Sequence, residues 1–295
     1  MFADRRRRLE VLLAFALAIA ALLRADTFKA AALEESSARK DVEDLIQRTG
    51  ATVSLAFHSL NGEQELFLRE ADRYSDTNAL RLPIMIELYA EAEAGELKLT
   101  DSLLVHDGVR ITPDAIPYHM DRKADPTVVA SVGKTRTLGE LCEEMITRNS
   151  NFATNLLLER LTLQRVRDRI DSLGADGMEI AAAFPNSDLN HTTTYAVFVV
   201  LWQLATEQAV SSNASKEMIG MMARSGLHPS PTPPPVIPVP IPPRPASAGP
   251  VAIHDAVIIY GAHSHVLVIE VRGMPDAASS AQLIATIAKA LADAT

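Results

Sequence analysis

Residues 75–95 read SDTNALRLPIMIELYAEAEAG and predict a buried central helix. Asp76 or Thr77 could cap its first turn, and a proline such as Pro83 is tolerated only near a helix start. Gly95 supplies the stop. Apolar residues recur at helical spacing and predict a face that packs in a core: Leu80, Ile84, Leu88 and Ala92.

The start of this helix, Asn78-Ala-Leu-Arg81-Leu-Pro, resembles the Ser-x-x-Lys-Leu-Pro box of class A serine β-lactamases and penicillin-binding proteins. In that family the Ser attacks a β-lactam or peptide carbonyl, and the Lys helps to take its proton. This chain has Asn78 for the Ser and Arg81 for the Lys. A carboxamide is not an acyl-transfer nucleophile, and a guanidinium stays protonated at any ordinary pH. The resemblance therefore implies the family's fold without its usual nucleophile and base.

A second box, residues 145–158, reads MITRNSNFATNLLL and is the most specific match in the chain. It resembles the family's Met-Ile-x-x-Ser-Asp-Asn-x-Ala-Thr-Asn-Leu-Leu, in which the Ser relays protons and the Asn holds the substrate amide. Asn151 matches that Asn, whereas Asn149 and Ser150 replace the Ser and the Asp. Our interpretation of Asn149 and Ser150 is that both cap the helix that follows.

Residues 174–190 correspond in place to the family's Ω-shaped loop, where a Glu-x-x-Leu-Asn element positions the deacylating water. Leu189 and Asn190 match this element, and Asn186 stands where the Glu would be. Glu179 or Asp188 could be aligned with the Glu instead. With Asn186 in the place of the Glu, this box is altered as well, whereas alignment of Glu179 would retain an acidic residue.

A proline-rich insertion, residues 229–245, occupies the place of the family's Lys-Thr-Gly strand, and no Lys-Thr-Gly is present in the sequence. Prolines lack the N–H that a sheet ladder needs and favour an extended polyproline conformation. The run could dock into aromatic-lined grooves, but we prefer to interpret it as a solvent-exposed spacer.

The order of predicted elements is that of the resembling family, which implies an α+β fold with two lobes. We expect an antiparallel sheet from residues 52–68 and 252–271, flanked by the terminal helices. The α/β lobe comprises residues 36–76 and 246–295, and the helical lobe residues 77–228. The cleft that corresponds to the family's active site is expected between the lobes. It is lined by the candidate substrate-binding residues: Asn78, Arg81, Asn149 and Asn151. If Arg81 is buried it needs an anionic partner, which we take to be an acidic ligand.

Composition excludes some classes of protein. The 295 residues are 47% hydrophobic, which is ample for a core, and the formal net charge of −9 argues against a nucleic-acid partner. Four arginines, Arg5–Arg8, precede a short apolar run. Residues 1–35 are therefore predicted to be a signal peptide or an N-terminal membrane anchor, which places the protein in the periplasm or anchored facing it. An ordinary amphipathic terminal helix is the alternative.

Other chemistries are less well supported. His254, Asp255, His263 and His265 lie close in sequence, but they lack the spacing of a zinc hydrolase, and strand alternation would split them between two faces. Ser75 or Thr77 could act as a displaced nucleophile, yet each is offset from the Asn78 position around the helix. We expect no metal and no cofactor.

Two functional hypotheses follow from these patterns. The preferred one is an exported, non-catalytic protein whose residual cleft or proline-rich segment binds a partner. The candidates for the cleft are a cell-wall fragment, a β-lactam and a protein. The alternative is an active hydrolase of β-lactams or peptidoglycan-type amides that uses residues outside the usual boxes.

Overall fold

The structure is a computed structural model that describes residues 37–62, 64–75, 78–119, 125–185, 188–224, 236–238, 251–261 and 264–293. The predicted export segment, residues 1–35, lies outside these ranges. Among the described helices, none has the length and the apolar composition needed to cross a membrane.

A five-stranded antiparallel sheet forms one layer, with the spatial order β2-β1-β9-β8-β7. Its strands are β1 (Thr52–Ser59), β2 (Glu65–Leu68), β7 (Val236–Pro238), β8 (Val251–Ile259) and β9 (His265–Met274). The sheet expected from residues 52–68 and 252–271 is present: β1 pairs with β2, β8 pairs with β9, and β1 joins the two pairs by pairing with β9. Strands from the two ends of the chain therefore lie side by side in the middle of the sheet.

The preference for an exposed spacer at residues 229–245 was wrong for its described part. Val236, Ile237 and Pro238 form strand β7, which pairs antiparallel with β8 from Val236 opposite Ile259 to Pro238 opposite Val257. Because β7 is an edge strand, it tolerates a residue without an N–H on its open side. The other residues of the insertion lie outside the described ranges.

The two faces of the sheet pack against different helices. Val53, Leu55 and Phe57 point to a core shared with the terminal helices α1 (Ser37–Thr49) and α9 (Ala277–Asp293). Ala56 and Val268 point to the opposite face and belong to the core of the helical layer. This alternation is what a sheet with both faces covered requires.

The helical layer is built around α2 (Arg81–Glu93), whose residues from Arg81 to Tyr89 are all buried. Its neighbours in the layer are α4 (Leu138–Thr147), α5 (Asn151–Leu161), α6 (Leu163–Leu173), α7 (Thr194–Ala205) and α8 (Ser212–Ala223). The short elements are β3 (Arg73–Tyr74), β4 (Ser102–Leu104), α3 (Pro126–Val129), β5 (Thr135–Thr137) and β6 (Thr192–Thr193). The predicted central helix is therefore confirmed, and it is buried on almost every side.

The start of α2 differs from the sequence-based expectation. Its N-cap position falls on Leu80, which makes no side-chain capping bond, and Pro83 is the third helical residue. Asp76 and Thr77 lie before this start, outside the described residues. At the other end Gly95 has a φ of 76°, the left-handed conformation predicted for a stop.

Candidate functional site

The site predicted from the catalytic boxes assembles where the first turn of α2 meets the start of α5. Arg81 is the first residue of α2, and Asn151 is the first residue of α5. Asn78 lies in the turn that leads into α2, and Asn149 in the connection between α4 and α5. The structure thus brings together Asn78, Arg81, Asn149 and Asn151, as the sequence predicted, and Asn186 lies outside the described residues.

The guanidinium of Arg81 occupies the centre of this group, and the side chain is only 2% exposed. Nη1 donates to the side-chain oxygens of Asn78 and Asn149, the latter at 3.0 Å. Nη2 donates to Asn151 Oδ1 at 2.6 Å and to the backbone oxygen of Asn149 at 3.0 Å. Nε donates to Thr154 Oγ1 at 3.1 Å. These bonds solvate a charge that is permanent and would otherwise be costly to bury.

The described bonds of Arg81 are made to polar protein groups, and an acidic ligand for this residue stays a prediction. The side chain points into the protein, and its five bonds above end on oxygens of Asn78, Asn149, Asn151 and Thr154. The planar fork of a guanidinium suits this role, because it presents several N–H groups in fixed directions.

Asn149 takes part in this network through its backbone as well as its side chain. Its φ of 54° places it in the left-handed region, which an asparagine adopts more readily than most residues. This conformation directs both its backbone oxygen and its Oδ1 to Arg81. The capping interpretation is therefore wrong for Asn149.

Ser150 does cap α5, as predicted. Its hydroxyl accepts a hydrogen bond from the Ala153 N–H at 3.0 Å. Asp125 adds a carboxylate at the same helix end, where its Oδ2 accepts from the Phe152 N–H at 3.1 Å. A negative charge near the N-terminus of a helix is favourable. The Asp125 carboxylate therefore stabilises the first turn of α5, which also contacts the guanidinium of Arg81.

The loop of residues 174–190 brings Phe184, which the sequence analysis missed, to the site. Its buried ring lies 5.6 Å from the Arg81 guanidinium carbon. Asn155 holds this residue through two hydrogen bonds of 2.8 Å, one to the Phe184 backbone oxygen and one from its N–H. The described part of the loop therefore places an aromatic ring against Arg81.

Asn190, which the resemblance matched to the water-positioning element, has a structural role. Its Oδ1 accepts from the N–H groups of Ala181 and Ala182, and its Nδ2 donates to the Ala182 oxygen. Glu179, one of the alternative alignments, pairs with Arg73 at 2.5 Å and with His191 at 3.1 Å. The hydrogen bond from Arg73 holds the pKa of Glu179 below its ordinary value.

Two described hydroxyl groups near the site, those of Thr154 and Ser75, donate to backbone oxygens. Thr154 donates to the Ser150 backbone oxygen at 2.7 Å while accepting from Arg81. Ser75, the proposed displaced nucleophile, donates to the Asn190 oxygen at 3.4 Å, and Thr77 lies outside the described residues. A carbonyl oxygen is not a general base, so these hydrogen bonds do not activate the hydroxyls as nucleophiles.

The metal hypothesis receives no support from the described residues. No group of three or more His, Cys, Asp or Glu side chains among them could hold a metal ion. His263 lies outside the described ranges. His265 is buried in β9 and its ring lies 5.2 Å from that of Phe57.

Sequence comparison with known proteins finds a matching family model and a curated relative. A family model described as the beta-lactamase enzyme family matches residues 37–295. A curated protein named beta-lactamase, from Rhodobacter capsulatus, is 29% identical over 130 residues, which make up 44% of this chain and 39% of that protein. The match thus spans well under half the length of this relative.

Solved structures show the same fold. PBP-A has a TM-score of 0.70 at 16% identity, covering 88% of this chain and 96% of that one. A beta-lactamase from Chitinophaga pinensis has a TM-score of 0.71 at 18% identity, covering 88% and 99%. TLA-1 extended-spectrum beta-lactamase has a TM-score of 0.71 at 16% identity, covering 87% and 97%. The predicted β-lactamase-like α+β fold is confirmed.

Proposed function

Because the chain belongs to the beta-lactamase enzyme family, we propose that it retains the family's cleft but performs no serine acyl transfer and acts as a binding protein. The observation that carries the proposal is the buried Arg81, bonded to Asn78, Asn149 and Asn151 at the place where the chemistry of the family would be expected.

The nucleophile is the first missing part. Asn78 replaces the serine, and its side-chain oxygen accepts a hydrogen bond from Arg81. Removing a catalytic serine alone costs on the order of a millionfold in turnover. The neighbouring hydroxyls of Ser150 and Thr154 are buried and serve as a helix cap and as a partner of Arg81.

The base is the second missing part. A lysine can lose its proton when it is buried, whereas an arginine does not. Arg81 therefore cannot relay a proton from a nucleophile, and its guanidinium instead ties α2 to the start of α5. Because Arg81 cannot accept a proton, this site favours ligand binding over acyl transfer.

The network also determines what the cleft can offer a ligand. A guanidinium has only donors, so it orients the carboxamide oxygens of Asn149 and Asn151 toward itself. The amide NH₂ groups of these half-buried residues are then left to donate to other partners. Two such donors suit a ligand that carries carbonyl or carboxylate oxygens, and we propose a peptide-bearing cell-wall fragment.

The relatives are consistent with a ligand of this class. One solved structure of a PBP-A mutant is an acyl-enzyme complex with penicillin-G, so a cleft of this fold accommodates an amide-bearing compound. In the present chain we propose that such compounds bind without a covalent bond. We propose a cell-wall fragment as the partner in preference to a protein.

The binding role is tested by nuclear magnetic resonance of the side-chain amides during titration with a soluble muropeptide. We expect saturable shifts of the Asn149 and Asn151 NH₂ signals, and loss of these shifts in Asn151→Ala. Asn213→Ala, at an exposed position on α8, is the matched control and should bind as the native chain does. Absence of shifts with both muropeptide and benzylpenicillin would overturn the binding proposal.

A further inference from the structure

A cavity of about 520 Å³ lies apart from the Arg81 network. Its lining comes from three segments of the chain: Glu70, Ala71 and Arg73 around the start of β3, Asp176 and Gly177 after α6, and Thr193 and Tyr195 at the start of α7. We propose that this cavity binds a small organic ammonium ion. The proposal is independent of the function proposed for the Asn78–Arg81 site.

The lining charges favour a cation. Glu70 and Asp176 both line the cavity, and neither carboxylate has a hydrogen bond or salt bridge within the described part of the chain. Arg73 is the cationic lining residue, and its charge is offset by Glu179 at 2.5 Å. Glu179 also contacts His191 at 3.1 Å. The carboxylates of Glu70 and Asp176 therefore give the cavity lining an excess of negative charge.

An aromatic wall distinguishes the cavity from a simple cluster of acids. Tyr195 is 45% exposed, although it is a large ring at the start of a packed helix. The centroid of its ring lies 5.8 Å from that of Phe67 and 6.2 Å from that of Phe198. An aromatic ring in a cavity that is also lined by carboxylates favours an ammonium group as the ligand.

The walls are fixed in place by the backbone. The Glu70 backbone oxygen accepts from the Tyr195 N–H at 3.1 Å and from the Thr194 hydroxyl at 3.2 Å. On the opposite side, Gly177 packs closely on Thr193, since a Cβ at Gly177 would lie 2.9 Å from Thr193 Cγ2. The cavity is therefore formed before any ligand arrives, which lowers the cost of binding.

An organic cation fits better than a metal ion. Hard metal ions require several oxygen ligands, and no described group of three or more acidic, His or Cys side chains could hold one. The exposed Tyr195 ring would add nothing to a hydrated metal ion, but it would contact the alkyl groups of an amine.

The test uses 1,6-diaminohexane as the probe and 1,6-hexanediol as its neutral match in length. We expect saturable shifts of the Gly177 amide with the diamine only, at low ionic strength, and weaker binding in about 0.15 M salt. Glu70→Gln/Asp176→Asn should weaken binding by about tenfold, and Tyr195→Leu by about threefold. Asp114→Asn removes an exposed carboxylate outside the cavity and should leave the affinity unchanged.

Three results would overturn the proposal: no saturable shift with the diamine, equal shifts with the diol, or unchanged affinity in Glu70→Gln/Asp176→Asn. If this double variant fails to fold, the salt dependence and the diol comparison on the native chain decide the question. Either an affinity independent of salt or equal binding of the diol is then sufficient to reject it.

Discussion

Arg81 Nη2 donates to Asn151 Oδ1 at 2.6 Å, and this bond joins the first residue of α2 to the first residue of α5 across 70 positions of sequence. The two residues belong to different boxes of the sequence, and both boxes depart from the pattern of the family. Arg81 also donates to Asn78 and Asn149, so the arginine that replaces a lysine is bonded to the asparagines that replace two serines.

Shortening this arginine should destabilise the protein. In Arg81→Lys the fork is lost, so some of the buried oxygens of Asn78, Asn149, Asn151 and Thr154 lose their donors. We expect the free energy of unfolding to fall by about 2–4 kcal/mol. Urea denaturation measures the change. Arg160→Lys, at an exposed position on α5, should change it by less than about 0.5 kcal/mol, and an equal effect of both variants would contradict the account.

Removing the side chain that holds Phe184 should have a comparable effect. Asn155→Ala deletes both 2.8 Å bonds and leaves the buried N–H and C=O of Phe184 without these partners. We expect a loss of about 2–3 kcal/mol in unfolding free energy. Asn213→Ala serves as the control, with a change below about 0.5 kcal/mol. A variant at Asn155 as stable as this control would show that the Phe184 backbone finds other partners.

Replacement of two glycines by alanine should change the stability of the protein in opposite directions. In Gly177→Ala the new Cβ would lie 2.9 Å from Thr193 Cγ2 and 3.1 Å from Ala196 Cβ, so we expect destabilisation by about 1–3 kcal/mol. Gly220 lies within α8, where the nearest atom to a new Cβ is Arg224 Nη1 at 3.8 Å. Gly220→Ala should therefore stabilise the protein by up to about 1 kcal/mol. Thermal unfolding of both variants tests the pair, and destabilisation by both would be unexpected.

The single cysteine should be inert in the folded protein. Cys142 is fully buried, its Sγ lies 3.8 Å from Met221 Sδ, and burial raises its thiol pKa to about 12. The thiolate is the reactive form, so Ellman's reagent should not label the native chain near pH 8 and should label it fully in denaturant. Rapid labelling without denaturant would show that the core around α4 opens.

Local patterns in the sequence were sufficient to predict most elements of the fold. The apolar spacing from Leu80 to Leu88 identified the central helix, and the resemblance placed the sheet in residues 52–68 and 252–271. The start of α2 could not be predicted, because Leu80 at its N-cap has no capping side chain to serve as a signal. Strand β7 was missed because proline content was taken to exclude a ladder, whereas an edge strand needs hydrogen bonds on one side only.

The closeness of four polar residues was predicted from the sequence, but their contacts were not. The two boxes identified Asn78, Arg81, Asn149 and Asn151, yet nothing in the local sequence shows that Arg81 turns inward to bond all three asparagines. Thr154 was missed although it lies four residues after Ser150, a spacing that places both on one face of α5. Phe184 was missed because its contact with Arg81 depends on how Asn155 holds a loop that is distant in sequence.

The most direct measurement is intact-mass spectrometry of the protein after incubation with a fluorescent penicillin, alongside the double variant Asn78→Ser/Arg81→Lys. We expect no covalent adduct on the native chain, because Asn78 cannot form an acyl ester and Arg81 cannot accept a proton. An adduct on the double variant alone would further show that the cleft still accepts the compound. A stoichiometric adduct on the native chain would contradict the loss of acyl transfer, and the modified peptide would identify the nucleophile.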